Sequence, residues 1–220
     1  MKSKFILLSH QRCGTHMVGS ALKQHPYLDF HDYELLIYDG TPEQYKDHFV
    51  GWHQANEDGI IVHVDRIMNS YPLFLYFLQH KHNFKILHIH RENVLERCAS
   101  EILANQTQIW RSSQHQPNNI TIEVPPKTLF KLYLKYKSQN ELVQFLNFPC
   151  IYHILYEEVV ANMSLIFKKI QQFLEIPIHP IEPSTIKQIC VPMHILIDNY
   201  DDLQLMFQNT ALHKYFNHSR

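Results

Sequence analysis

Four short apolar runs, Phe5–Ser9, Gly59–Val64, Phe84–His90 and Cys150–Leu155, constrain this chain more than any other feature. Each is rich in Ile, Leu or Val and is followed by a segment of helical character. Strands apolar along their whole length, alternating with helices, belong to a sheet covered on both faces, so an α/β fold with a mostly parallel sheet is predicted. Helical periodicity is clearest over Ser164–Leu174, where Ile166, Ile170, Phe173 and Leu174 share a face. Asn162 stands as its N-cap and Pro177 lies just beyond its end. A second helix is predicted from Lys127 to Phe145, opened by the pair Pro125-Pro126. Between Ala104 and Glu123 the pattern weakens into a polar stretch, which reads as a substrate loop or a long connection. With 220 residues, and no repeat, low-complexity tract or linker, a single domain over residues 1–220 is expected.

Formal charge is −1, so no global basic field points to nucleic acid or an acidic membrane, and any anion site has to be local. No stretch approaches the ~20 apolar residues that span a bilayer. The start of the chain carries Lys2 and Lys4 before an apolar run that meets His10-Gln11-Arg12 rather than small residues; it reads as a buried first strand, not a signal peptide. Cys13, Cys98, Cys150 and Cys190 are widely spaced, as free thiols of a reducing, cytoplasmic setting would be. Seventeen histidines raise the question of a metal. His88 and His90 alternate along a predicted strand, with His80 and His82 before them, but the tight Cys/His spacing of zinc sites is missing, so no metal is expected.

The first strand leads through Ser9-His10-Gln11-Arg12-Cys13-Gly14 into a helix beginning near Thr15 or His16. At such a junction backbone N–H groups and the helix dipole both favour an anion. Gly14 lets the backbone approach closely, Arg12 adds a permanent cation, and Thr15 a hydroxyl. The loop lacks the Gly-Lys pair of a Walker A motif, which counts against a kinase or other phosphate-transfer enzyme. A second strand-to-helix junction follows at His90-Arg91-Glu92-Asn93, with Arg91 at the strand end, where parallel sheets place ligands, and Ser100 about two turns into the helix.

Together these segments resemble the sulfotransferases that use 3′-phosphoadenosine 5′-phosphosulfate (PAPS), the bacterial members in particular. Arg12-Cys13-Gly14-Thr15-His16-Met17 resembles the 5′-phosphosulfate loop of that family. The resemblance implies that Arg12 stabilises the bridging oxygen of the leaving phosphate and that Gly14, Thr15 and His16 wrap the 5′-phosphate. Cys13 stands where the family has Ser, His16 where it has a second hydroxyl, and Met17 where many members stack an aromatic on adenine. Arg91 and Ser100 match the Arg and Ser that hold the 3′-phosphate, at a spacing of nine. Ile154-Leu155-Tyr156-Glu157-Glu158 is similar to the family's Leu-x-Tyr-Glu-Asp element, which implies Tyr156 near adenine. Lys187-Gln188 and Leu196-Ile197-Asp198-Asn199-Tyr200 resemble the C-terminal basic pair and the Ile-x-Asn-Tyr stretch, with Lys187 implied to reach the 3′-phosphate.

The fold implied is a P-loop-like three-layer one, with helices on both faces of the sheet. The activity implied is transfer of a sulfuryl group from PAPS to a hydroxyl or amine, releasing 3′-phosphoadenosine 5′-phosphate (PAP). Two residues compete for the role of general base: Glu34, at an acidic position of bacterial members, and His63, near a histidine of cytosolic ones. Arg12, the loop amides and His16 would stabilise developing charge. A module that binds PAP or PAPS without transferring sulfate is the main alternative. The acceptor, whether a small molecule, a carbohydrate or a lipid, is not identified by any residue pattern.

Overall fold

The computed structural model describes residues 4–34, 40–110, 120–185 and 191–217. In chain order the elements are β1 (Lys4–Ser9), α1 (Thr15–Leu22), β2 (Phe30–Glu34), α2 (Pro42–Gln54), β3 (Gly59–His63), α3 (Val64–Met68), α4 (Tyr71–His80), β4 (Phe84–His90), α5 (Val94–Thr107), α6 (Pro126–Leu146), β5 (Ile151–Leu155), α7 (Tyr156–Ala161), α8 (Met163–Leu174), α9 (Met193–Leu196), α10 (Tyr200–Met206) and α11 (Lys214–Asn217). The four predicted strands and both predicted helices form within a residue or two of their expected bounds. Asn162 caps α8 as expected, its side chain accepting from the Leu165 N–H at 3.2 Å. The edge strand β2, Phe-His-Asp-Tyr-Glu, lacks an apolar run and was not predicted.

The chain divides into two compact units, the first made of residues Met1–His90 and Gln139–Ser184, the second of Arg91–Ser138 and Thr185–Arg220. The first unit holds a five-stranded, all-parallel sheet in the order β2-β3-β1-β4-β5. Alternate side chains of each strand go to opposite faces. Phe5, Leu7, Ile61, Leu87 and Ile89 pack against α1, α7 and α8 through Val18, Leu22, Val159, Ile166 and Ile170. Ile6, Leu8, Ile60, Val62 and Ile86 pack on the other side against Phe49, Trp52, Leu73, Phe77 and Leu146. This is the three-layer α/β arrangement that uniformly apolar strands require.

The second unit is helical around its own core, in which Leu95, Leu103, Leu129, Tyr136, Leu196, Leu203 and Phe216 meet. Ile122 forms a parallel bridge with Ile197. The Asn199 amide closes that corner in both directions, accepting from the Val124 N–H at 3.0 Å and donating to the Val124 carbonyl at 2.9 Å. The Ile-Asp-Asn-Tyr stretch therefore has a structural use: Asn199 pairs backbone, and the buried Tyr200 hydroxyl donates to the Phe216 carbonyl. Among the described residues no helix is long and apolar enough to cross a membrane.

Candidate anion-binding site

In the order β2-β3-β1-β4-β5 the chain leaves β1 toward β2 on one side and β4 toward β5 on the other. The crevice beyond the carboxyl ends of β1 and β4 is therefore the topological switch point of the sheet, where open α/β sheets bind ligands. The loop after β1 starts at that edge. Arg12 and Gly14 both adopt positive φ, 62° and 83°. Alternation into the left-handed region turns successive N–H groups toward one side, the backbone geometry of anion-binding nests. Gly14 is the N-cap of α1 and has no side chain with which to cap it, so the first-turn amides of an eight-residue helix face the loop without a capping oxygen from that position.

The side chains of the loop divide by direction. Arg12 and His16 are half-buried and open to solvent. Cys13, Thr15 and Met17 turn inward. Cys13 and Met17 join the core on the α1 face. Thr15 Oγ1 donates to Ser9 Oγ at 2.9 Å, and Ser9 Oγ is hydrogen-bonded to Nδ1 of His63 at 2.9 Å. A buried chain of two hydroxyls thus links the loop to His63, at the end of β3. Tyr156, at the start of α7, lies buried under the loop, its ring against Gly14. Glu34 ends β2 and pairs with Ile61 in the register with β3, so its backbone sits at the same carboxyl edge.

In the second unit Arg91 opens the segment leading into α5. Its guanidinium is buried and ion-paired through Nη2 with Oε2 of Glu96. Asn93 caps the helix, its Oδ1 accepting from the Glu96 N–H at 3.1 Å while its Nδ2 donates to Glu96 Oε1 at 3.3 Å. Ser100, buried one turn beyond Glu96, shares that face of α5. Arg97 is 2% exposed and lies with its guanidinium carbon 3.2 Å from the ring centroid of Tyr136, whose hydroxyl donates to Glu101 at 2.9 Å. Burial raises the Tyr136 phenol far above its usual range, so it stays a donor.

Two solved structures share this architecture. A sulfotransferase from Alicyclobacillus acidocaldarius aligns over 100% of this chain and 97% of its own, with a TM-score of 0.50 and 15% identity. A mouse sulfotransferase, SULT7A1, solved in complex with PAP, aligns over 81% of this chain and 60% of its own, with a TM-score of 0.53 and 18% identity. This chain has the sulfotransferase fold. No family model and no curated protein sequence matches it.

Within the first unit the sulfotransferase fold brings Arg12, Gly14, Thr15, His16, His63 and Tyr156 to the ends or the flank of β1, β3 and β5, and it places the backbone of Glu34 on the same edge. Lys187 lies outside the described residues. Two features escaped sequence reasoning. Ser9 is an unremarkable strand end in the sequence, and only the parallel register Ser9↔His63 makes it the link between loop and histidine. The buried histidines 10, 88 and the neighbouring 90 and 153 gather on the opposite face, from three different strands or strand ends. The His-x-His pattern of β4 was the one available signal. Burial, then His10, His90 and His153 beside it, push the His88 imidazole down to about 2.

Proposed function

We propose that this chain is a PAPS-dependent sulfotransferase that moves a sulfuryl group from PAPS to a hydroxyl or amine of an acceptor and releases PAP. The observation that carries the reading is the glycine-capped, doubly left-handed loop Arg12–Gly14 at the switch point of a sheet with the sulfotransferase fold. A solved neighbour of the same fold holds PAP. The loop amides and Arg12 take the 5′-phosphosulfate, with the half-buried His16 beside them. Arg91 and Ser100 take the 3′-phosphate, and Arg91 exchanges Glu96 for that phosphate when the nucleotide binds. Thr15 has its hydroxyl on Ser9, so its contribution is the backbone amide. Tyr156 supports the loop from below, which makes its contact with the nucleotide chiefly indirect.

In the transfer the acceptor oxygen or nitrogen attacks sulfur from the side opposite the phosphate. The S–O bond to the 5′-phosphate breaks, and its electron pair ends on the phosphate oxygen, where Arg12 and the amides meet the growing charge. The acceptor proton goes to a base, a role this reading gives to His63, whose Nδ1 is held by Ser9. When His63 donates Nδ1–H to Ser9 Oγ, whose two lone pairs also accept from Thr15, the lone pair stands on Nε2. Positioned bases of this kind contribute ~10²–10⁴-fold.

Calorimetry with PAP tests the binding half. Wild type should bind PAP far more tightly than ATP, and Arg12→Ala and Arg91→Ala should each lose at least ~tenfold, the loss of one charge-assisted hydrogen bond. Equal binding of PAP and ATP would exclude PAPS use. Single-turnover transfer from labelled PAPS, with His63→Gln against Glu34→Gln, identifies the base. If PAP binds and no acceptor class is sulfated, the protein is a nucleotide-binding module, a reading favoured by the engagement of Arg91 with Glu96.

A further inference from the structure

Beneath the carboxyl end of the sheet, on the face away from α1, the apolar core ends in a group of imidazoles. His88 and His90 lie two residues apart on β4, and His153 pairs directly with His88 in the parallel register of β4 and β5. One ring nitrogen from each of the three lies within 4.8 Å of the other two. Nδ1 of His88 and Nδ1 of His153 are 3.1 Å apart. Two nitrogens bound to one tetrahedral zinc at ~2.0–2.1 Å stand about 3.3 Å apart, so this pair is already at ligand spacing. His88 is buried, His90 half-buried and His153 exposed, which leaves an entry from solvent.

The hydrogen bonds behind the group set which nitrogen of His88 holds the lone pair. The Gln139 carbonyl oxygen can only accept, so the 2.9 Å contact with His10 requires a proton on His10 Nδ1. A neutral His10 then offers its Nε2 lone pair, and His88 donates Nε2–H to it across 3.3 Å. The remaining nitrogen of a neutral His88, Nδ1, carries a lone pair aimed at His153. A ligating histidine whose second N–H is held by an outer partner is the arrangement that orients imidazoles toward metals. Here the outer partners are His10 and, behind it, the fully buried Gln139.

We propose that His88, His90 and His153 form a three-histidine site for a zinc-class divalent cation, oriented by His10 and Gln139. Three imidazoles with a solvent-facing side match a tetrahedral ion whose fourth ligand is water, and imidazole donors select the late first-row metals. The site stands on the face of the sheet opposite the Thr15–Ser9–His63 chain and does not depend on the sulfotransferase reading.

The test uses the full chain, stripped with chelator and titrated with Co²⁺, whose visible absorption rises strongly in four- or five-coordinate nitrogen sites. Wild type should saturate at one equivalent, Zn²⁺ should displace the colour, and Zn²⁺ should raise the melting temperature. His153 is exposed, so His153→Ala should fold normally, as circular dichroism can check, and should lose Co²⁺ affinity at least ~100-fold. Gln139→Leu keeps all three ligands and should lose ~10–100-fold. His82→Ala, an exposed histidine elsewhere, should change nothing. A wild type that binds no stoichiometric Co²⁺, or binding that survives His153→Ala intact, overturns the proposal and leaves a hydrogen-bonded histidine network with no ion.

Discussion

The ring of Tyr156 occupies the space that a side chain at position 14 would need: a Cβ on Gly14 would stand 2.5 Å from Tyr156 Cδ2 and 2.8 Å from Cε2. Glycine is thus required twice at this position, by the overlap and by its φ of 83°. Gly14→Ala should destabilise the protein by about 1–3 kcal/mol, from left-handed strain and crowding. Urea unfolding would read this as a lower midpoint at unchanged slope. Tyr156→Leu in the same chain should recover only part of the loss, because it removes the overlap and not the strain.

Arg12 separates stability from binding. A non-glycine residue at φ 62° carries about 1–2 kcal/mol of strain. Arg12→Gly relieves it and offsets the greater freedom glycine has when unfolded, so stability should stay within ~1 kcal/mol of wild type. PAP affinity should nevertheless fall by ~10–100-fold with the lost charge-assisted contact. Parallel losses in stability and affinity would mean that the guanidinium supports the fold instead.

Acid should act through His88. Its folded-state value, about 2, lies below the ~6.5 of an unfolded histidine, so between these values the unfolded chain binds the extra proton. The stabilisation is complete above pH ~6.5 and is lost as pH falls, by at most ~1.4 kcal/mol per pH unit for this one group. Unfolding free energies of chelator-treated protein between pH 7 and pH 4 should decline more steeply in wild type than in His88→Gln. Identical slopes would show that His88 is protonated in the folded protein.

The cysteines should differ in reactivity. Among the described residues Cys13, Cys98 and Cys150 form no disulfide, the first two being buried and Cys150 half-buried. Burial, with the Glu101 carboxylate second, pushes the Cys98 thiol up to about 12. At pH 8 its thiolate fraction is negligible, and thiolate is the reacting species. Peptide mapping after alkylation should find Cys150 labelled well before Cys98, with Cys98 reacting only in denaturant.

Much of the framework was written locally. The apolar runs of β1, β3, β4 and β5, the Asn162 cap and the Pro125-Pro126 helix start are each decided by neighbours in the chain, so their elements were predictable. Gly14 likewise announced a tight turn before a helix. The strand β2 was not predictable: Phe-His-Asp-Tyr-Glu has neither a uniform apolar run nor clean alternation, and its structure comes from the backbone ladder that β3 offers it. The sequence shows Arg91 at a strand end, but not its ion pair with Glu96, which depends on how the helix start turns and not on spacing alone.

The Arg12-Cys13-Gly14-Thr15 loop, its place between a strand and a helix, and the parallel α/β class were thus determined by the sequence itself, since each rests on residues within a few positions of one another. Tertiary structure alone decided that Thr15 faces Ser9 and His63, that Tyr156 underlies Gly14, and that His88 and His153 stand side by side. Thr15 and Ser9 are six positions apart, but Ser9 and His63, His88 and His153, and Gly14 and Tyr156 are separated by 54, 65 and 142 positions. The register of parallel strands, set by burial of both faces of the sheet, brings Ser9 to His63 and His88 to His153, and the helix starts that follow β1 and β5 bring Gly14 and Tyr156 together.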